Sequence, residues 1–162
     1  MALSNFERMI RLADEVFAVR QDPDQLDVDD KVLERLAEIH PATVSEHDDG
    51  HGPVAWILLI PTTSELMDLF LRGEISERVL FERTQPGDRY DALYLCSAMV
   101  LEEYRRKGIA RTLTLDAVER IRKDHPIRSL FVWTFSAEGE ASARELARVT
   151  GLPLFFRKGY KD

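Results

Sequence analysis

Residues 54–60 and 92–100 form two almost unbroken apolar runs, Val-Ala-Trp-Ile-Leu-Leu-Ile and Ala-Leu-Tyr-Leu-Cys-Ser-Ala-Met-Val. A strand with one wet face alternates polar and apolar residues. A strand covered on both faces does not. The two runs therefore predict central strands of a sheet with helices on both sides, which is a mixed α/β fold. At 162 residues the chain is long enough for a sizeable core and reads as a single domain spanning residues 1–162.

The remaining elements follow from caps and periodicity. Ser4 with Glu7 makes a capping-box pattern. Phe6, Met9, Ile10, Ala13 and Phe17 then fall at helical spacing, which predicts a helix over 4–20. Asp29 or Asp30 caps a second helix carrying Val32, Leu33, Leu36 and Ile39, and Pro41 ends it. Residues 43–47 and 53–60 read as paired strands around Asp48-Asp49-Gly50. A helical segment over 62–83, opened by a second Thr-x-x-Glu capping box, separates the two central strands. Helices over 108–124 and 141–150 and strands at 130–133 and from 154 complete the order, with Gly151 and Pro153 closing the last helix.

One segment carries chemistry. Arg105-Arg106-Lys107-Gly108-Ile109-Ala110 lies between the second apolar run and an amphipathic helix. A loop that opens a helix after a strand points several backbone N–H groups at one spot, and the helix dipole adds positive potential there. Such a spot suits a phosphate or pyrophosphate. Gly108 lets the backbone approach the anion, and Ile109 is expected to anchor the first turn.

The spacing Arg105-x-x-Gly108-x-Ala110, after a strand ending in Val100 and before a long helix, resembles the acetyl-CoA signature of the GNAT N-acetyltransferase family. The resemblance implies a GNAT-like mixed central sheet flanked by helices on both faces, with acetyl-CoA as acyl donor and an amine as acceptor. It implies that main-chain groups of Ala98, Met99 and Val100 hold the pantetheine arm, with the N–H near Met99 polarising the thioester carbonyl. It further implies that the Arg105, Arg106, Lys107, Gly108, Ile109 and Ala110 segment holds the pyrophosphate, its basic side chains adding charge. The element order agrees from the first helix onward, with three departures: the family's usual first strand is missing, the helical segment at 62–83 is extra, and little or no final strand follows Tyr160. The extra segment is expected to pack as a layer.

The general acid and base are not identified by the resemblance. Ala147 stands where the family often has a tyrosine, and Glu140 where it often has an asparagine. The central strand carries no carboxylate; Ser97, Tyr94, Tyr160 or a water held by Glu102 or Glu103 are the remaining candidates. These departures motivate an alternative, a catalytically silent CoA-binding or regulatory module. A third reading is a structural protein whose turn binds nothing.

Charge and cysteine usage narrow the field. A formal net charge of −7 speaks against non-specific nucleic-acid binding and is compatible with a cationic acceptor. Cys96 is the single cysteine, so no intramolecular disulfide or cysteine metal cluster forms. His47-Asp48-Asp49-Gly50-His51 has metal-ligand residue types, but a hairpin turn explains them and no metal is expected. There is no signal-like N-terminus and no apolar run near the roughly 20 residues that span a bilayer, so a cytoplasmic location is expected. A short C-terminal end is compatible with a homodimer that completes the sheet.

Overall fold

The computed structural model describes residues 3–20, 26, 29–134 and 136–157, the side chains of 16–20 excepted. Its elements run α1 (Asn5–Arg20), α2 (Asp30–Ile39), β1 (Val44–Asp48), β2 (Pro53–Thr62), α3 (Ser64–Leu71), α4 (Glu77–Arg83) and β3 (Ala92–Val100). A single 3-10 turn at Glu102–Tyr104 precedes α5 (Ile109–Asp124), β4 (Ser129–Val132), α6 (Ala137–Thr150) and β5 (Leu154–Phe156). The strands form one five-stranded sheet in the order β1-β2-β3-β4-β5. The first two pairings are antiparallel and the last two parallel, so the sheet is mixed as the resemblance implies.

The two apolar runs are the two inner strands. All of β2 except Trp56 is buried, as expected of a strand covered on both faces. Phe70 from α3 packs edge-on against Tyr94 of β3 at 5.0 Å and against Phe131 of β4 at 5.8 Å. Each such buried aromatic contributes about 2 kcal/mol by area alone. The segment between β2 and β3 therefore packs as a layer: Met67, Phe70, Leu80 and Phe81 all join the main core.

Caps sit close to where the residue types place them, with two departures: α6 begins at Ala137 and not at 141, capped by Ser136, and the α3 cap is shifted by one residue. Thr63, not Thr62, accepts from the Leu66 amide at the start of α3. Thr62 is still in β2, fully buried, and its hydroxyl bonds that of Thr84 at 2.7 Å. A buried hydroxyl needs a partner, and a strand residue facing the core finds one there rather than at the helix end.

The expected face of α1 is rotated, and on α5 only Ile109 departs from expectation. On α1, Met9 is fully buried while Phe6 and Ile10 are 55% and 42% exposed. The helix meets β2 along its Met9–Leu12 edge, where a small separate core gathers Met9, Val54 and Leu101. On α5, Ala117, Val118 and Ile121 are buried, and Ile109 stays half-exposed while Ala110 packs against the core.

Candidate active site

Two local features build the site, an opening in the sheet and a bare helix end beside it. The β3–β4 ladder runs only from Ala92↔Ser129 to Leu95↔Val132. Beyond it β3 continues to Val100, paired on the β2 side alone. The parting coincides with an irregularity: Leu59 pairs with Leu95 and Leu58 with Ser97, leaving Cys96 as the extra residue of a bulge. An extra residue increases local twist, and from this point on residues 96–100 of β3 have no β4 partner.

The polar groups on the open edge follow from strand alternation. The Leu101 amide donates to Val54 O at 2.9 Å, so Leu101 faces β2. The Val100 carbonyl accepts from Arg105 Nε at 3.0 Å, so Val100 faces the other way. Continuing the alternation turns the main-chain groups of Ala98 to the open edge with those of Val100 and those of Met99 toward Trp56, its register partner. The Met99 side chain packs on the small core of Met9, Val54 and Leu101.

Five residues past Val100 the chain reaches the loop. Arg106 has φ 62° and Gly108 φ 78°, two left-handed residues that reverse the chain into α5. A Cβ on Gly108 would meet nothing within 4 Å, so glycine is required there by backbone conformation and not by space. Gly108 O accepts from Thr112 N at 2.9 Å, which closes the first turn. No side chain caps α5 and its first turn holds no acid. The amides of Ile109, Ala110 and Arg111 thus point out of the helix end with the positive end of its dipole. The loop holds three basic residues, and Arg105 is turned back onto Val100 while Arg106, Lys107 and Gly108 are exposed.

Loop and sheet opening together can hold an anion at one end and an extended polar chain along the other. Every sequence-predicted binding residue lies on this stretch: Ala98, Met99 and Val100 on the splayed edge, and Arg105, Arg106, Lys107, Gly108, Ile109 and Ala110 at the helix start.

The candidate acid and base residues are scattered. Ala147 packs against the core from α6, and Glu140 pairs with Arg144 at 3.5 Å on the exposed face of that helix. Glu103 bonds Arg8 at 2.6 Å, which pulls its carboxyl down to about 2. Glu102 is exposed, Ser97 half-buried and Tyr160 outside the described residues. Tyr94 is fully buried and donates to Glu77 Oε2 at 2.5 Å.

Glu77 is the functional-looking group that sequence reading missed. It is the only acid buried among the described residues, at 1% exposure. Besides Tyr94 it accepts from the Leu26 amide at 2.7 Å and lies 3.8 Å from the Cys96 thiol. Its carboxylate therefore touches β3 on both sides of the point where β3 leaves β4. A capping signal was visible, since Ser76-Glu77 reads as a cap and first-turn acid, but nothing local marked the acid as buried.

The carboxylates of the His47–His51 turn bond its own backbone, and Asp49 also accepts from the Asn5 side chain and the Tyr104 hydroxyl. Asp48 accepts from Gly50 N and Gly52 N at 2.7 and 3.1 Å, and Asp49 from His51 N at 2.8 Å. Among the described residues no group of three His, Cys, Asp or Glu is placed to hold a metal ion. No described helix is long and apolar enough to cross a membrane.

No curated protein matches the chain. A family model does, that of the acetyltransferase (GNAT) family, over residues 8–151. The match runs from the first turn of α1 to the cap of α6 and takes in the opened strand and the bare helix end. The chain belongs to the GNAT acetyltransferase family and is an acyltransferase.

Proposed function

We propose that this protein transfers the acetyl group of acetyl-CoA directly to a primary amine, residues 1–162 acting as one domain. The observation that carries the reading is the α5 start, which is uncapped, free of acids and preceded by three basic residues, beside a strand whose outer edge has been freed. Backbone amides aimed out of a helix end bind phosphate oxygens without any side-chain acid or base. In this reading the amides from Lys107 to Ala110 hold the pyrophosphate, and Arg106 and Lys107 add charge toward it. Arg105 instead stays on Val100 and braces the turn. The outward groups of Ala98 and Val100 bond the pantetheine arm, and an amide on that edge polarises the acyl carbonyl. Met99 contributes its side chain to the wall beneath.

Bound acetyl-CoA supplies an activated acyl thioester. The chain's residues hold its carbonyl still and expose one side of it to the amine, which is the larger part of what an acyl transfer between two bound partners needs. The acidic surface favours a cationic acceptor, and the reading places the enzyme in the cytoplasm with no metal in its chemistry.

Calorimetric titration with acetyl-CoA, CoA and ATP tests the donor site. Micromolar acetyl-CoA binding with ATP much weaker is expected, followed by CoA release over a panel of primary amines. A folded sample that binds neither acetyl-CoA nor CoA overturns the proposal.

A further inference from the structure

The β1–β2 turn, which looks from sequence like a bare hairpin, lies beside the foot of the donor loop, since it leads into β2 where Val54 accepts from the Leu101 amide. Asp49 accepts a hydrogen bond from the Tyr104 hydroxyl, the last residue of the 3-10 turn that leads into Arg105. The same carboxylate accepts from Asn5 Nδ2 of α1 at 3.1 Å and from the His51 amide at 2.8 Å. Four donors and acceptors thus converge from α1, the β1–β2 turn and the loop foot. A neighbouring tie runs parallel to it, Arg8 of α1 to Glu103 at 2.6 Å. Beneath both, Leu101 and Tyr104 join the small core of Met9 and Val54, which is separate from the main core. On the outer side, Lys107 Nζ stands 5.6 Å above the Tyr104 ring.

We propose that Asp49 is a positioning residue for the CoA pyrophosphate site, acting through Tyr104 to hold the loop in its anion-binding shape before the ligand arrives. The proposal rests on the donor-site reading above. The loop itself, Arg106 to Gly108, is exposed and contains two left-handed residues, so its shape is not fixed by burial. An anion site made of backbone amides works only if those amides already converge; any disorder must be removed on binding and weakens affinity. The constraint must come from the ends of the loop. The α5 end supplies one, and the Tyr104 end is held by Asp49. Both partners bear the mark of the bond: Asp49 is pulled below the usual carboxylate range, first by the Tyr104 hydroxyl, and Tyr104 is raised, first by Asp49. The arrangement also engages two carboxylates at the foot of the loop. Glu103 is paired with a guanidinium, and both oxygens of Asp49 are directed onto Asn5, His51 and Tyr104 donors.

The test uses the full chain and two probes, CoA and pantetheine, the second lacking the pyrophosphate. Asp49→Ala, Tyr104→Phe and the double variant are titrated with each, alongside Asp49→Asn. In the last, the side-chain oxygen keeps accepting from Asn5 and His51 while the NH2 donates to the Tyr104 hydroxyl oxygen, which retains the tie with its direction reversed. Melting curves establish that each variant is folded. A charge-assisted bond of this kind is worth about tenfold in affinity when it preorganises a site. We expect CoA to bind about tenfold more weakly to each single variant and no more weakly to the double, with pantetheine unchanged and Asp49→Asn close to wild type. Folded variants that bind CoA as wild type does, or that lose CoA and pantetheine equally, overturn the positioning role while leaving the donor site standing. A wild-type chain that fails to bind CoA overturns both.

Discussion

Two helices begin beside strand β3, and they begin in opposite ways. The start of α4 is closed: Ser76 accepts from the Val79 amide, and Glu77 in the first turn is buried against Tyr94 and Leu26. The start of α5 is open: no cap, no acid, a left-handed glycine and exposed basic residues. Four other helices resemble α4, with Ser4, Asp29, Thr63 and Ser136 each accepting from a first-turn amide. A capped helix end has met its electrostatic demand within the chain, whereas α5 leaves the same demand to be met from outside. The difference separates where the protein is held together from where it binds, and substitutions at the two ends should read out in different assays.

The largest effect is expected on the closed side. Glu77→Ala removes a buried carboxylate from the Leu26 amide and the Tyr94 hydroxyl. Each loses a charge-assisted bond and stays buried, so destabilisation of about 3 kcal/mol or more is expected. For a chain of this size that lowers Tm by about 6 to 12 °C, checked by calorimetric or circular-dichroism melting. A melting point within a degree of wild type would mean that the carboxylate is not a structural tie. At the open end, Gly108→Val should behave the other way round. A β-branched residue at φ 78° is strained by about 1 to 3 kcal/mol, which the exposed loop relieves by changing shape. Acetyl-CoA affinity should fall about thirtyfold while Tm drops by only a few degrees. Unchanged affinity in a folded variant would detach the loop from the ligand.

How much of this contrast was legible in the sequence depends on how local each signal is. The loop was legible because its chemistry is carried by neighbours: strand, glycine at the reversal, basic residues and helix follow one another within about twenty positions. The caps of α1 and α2 were legible for the same reason. Thr63 for Thr62 came from a tertiary demand on Thr62 by Thr84, 22 residues on, and the α6 start was read four residues late because the small and polar residues from Ala137 to Glu140 carry no apolar periodicity. Glu77 was not legible as a buried group, because its burial is decided by Leu26 and Tyr94, 51 and 17 residues away. Nor was the link between Asp49 and Tyr104, 55 residues apart. The bulge at Cys96 belongs to the same class: it is set by register with β2, and it shifts which amides face the opening, so Ala98 and Val100 rather than Met99 carry the outward main-chain groups. The rotated face of α1 has a similar origin, since periodicity marks an apolar stripe but not which edge of it the sheet covers.

A milder probe of the closed side is Ser76→Ala. The hydroxyl meets one first-turn amide at 3.1 Å, and removing it should cost about 1 kcal/mol, or 2 to 4 °C in Tm. Acetyl-CoA affinity should not move. A loss of affinity as large as that of Gly108→Val would show that the two helix ends are coupled through β3, and the division drawn above would fail.

The smallest and sharpest probe makes the open end resemble the closed ones. Thr112 is exposed in the first turn of α5, its amide bonded to Gly108 O and its side chain in no hydrogen bond among the described residues. Thr112→Glu places a carboxylate in the positive field of the helix end, which stabilises the helix by about 0.3 to 1 kcal/mol. The same charge occupies the potential that an incoming pyrophosphate would use, so binding should weaken by about threefold, more at low salt than at high. Stability and affinity then move in opposite directions from one substitution: Tm up by about 1 to 3 °C, acetyl-CoA weaker. A variant that gained stability and kept its affinity would place the anion elsewhere than at this helix end, whereas one that lost both would mean that Thr112 matters for packing. Only opposed movement is expected if the α5 end is left bare because a phosphate completes it.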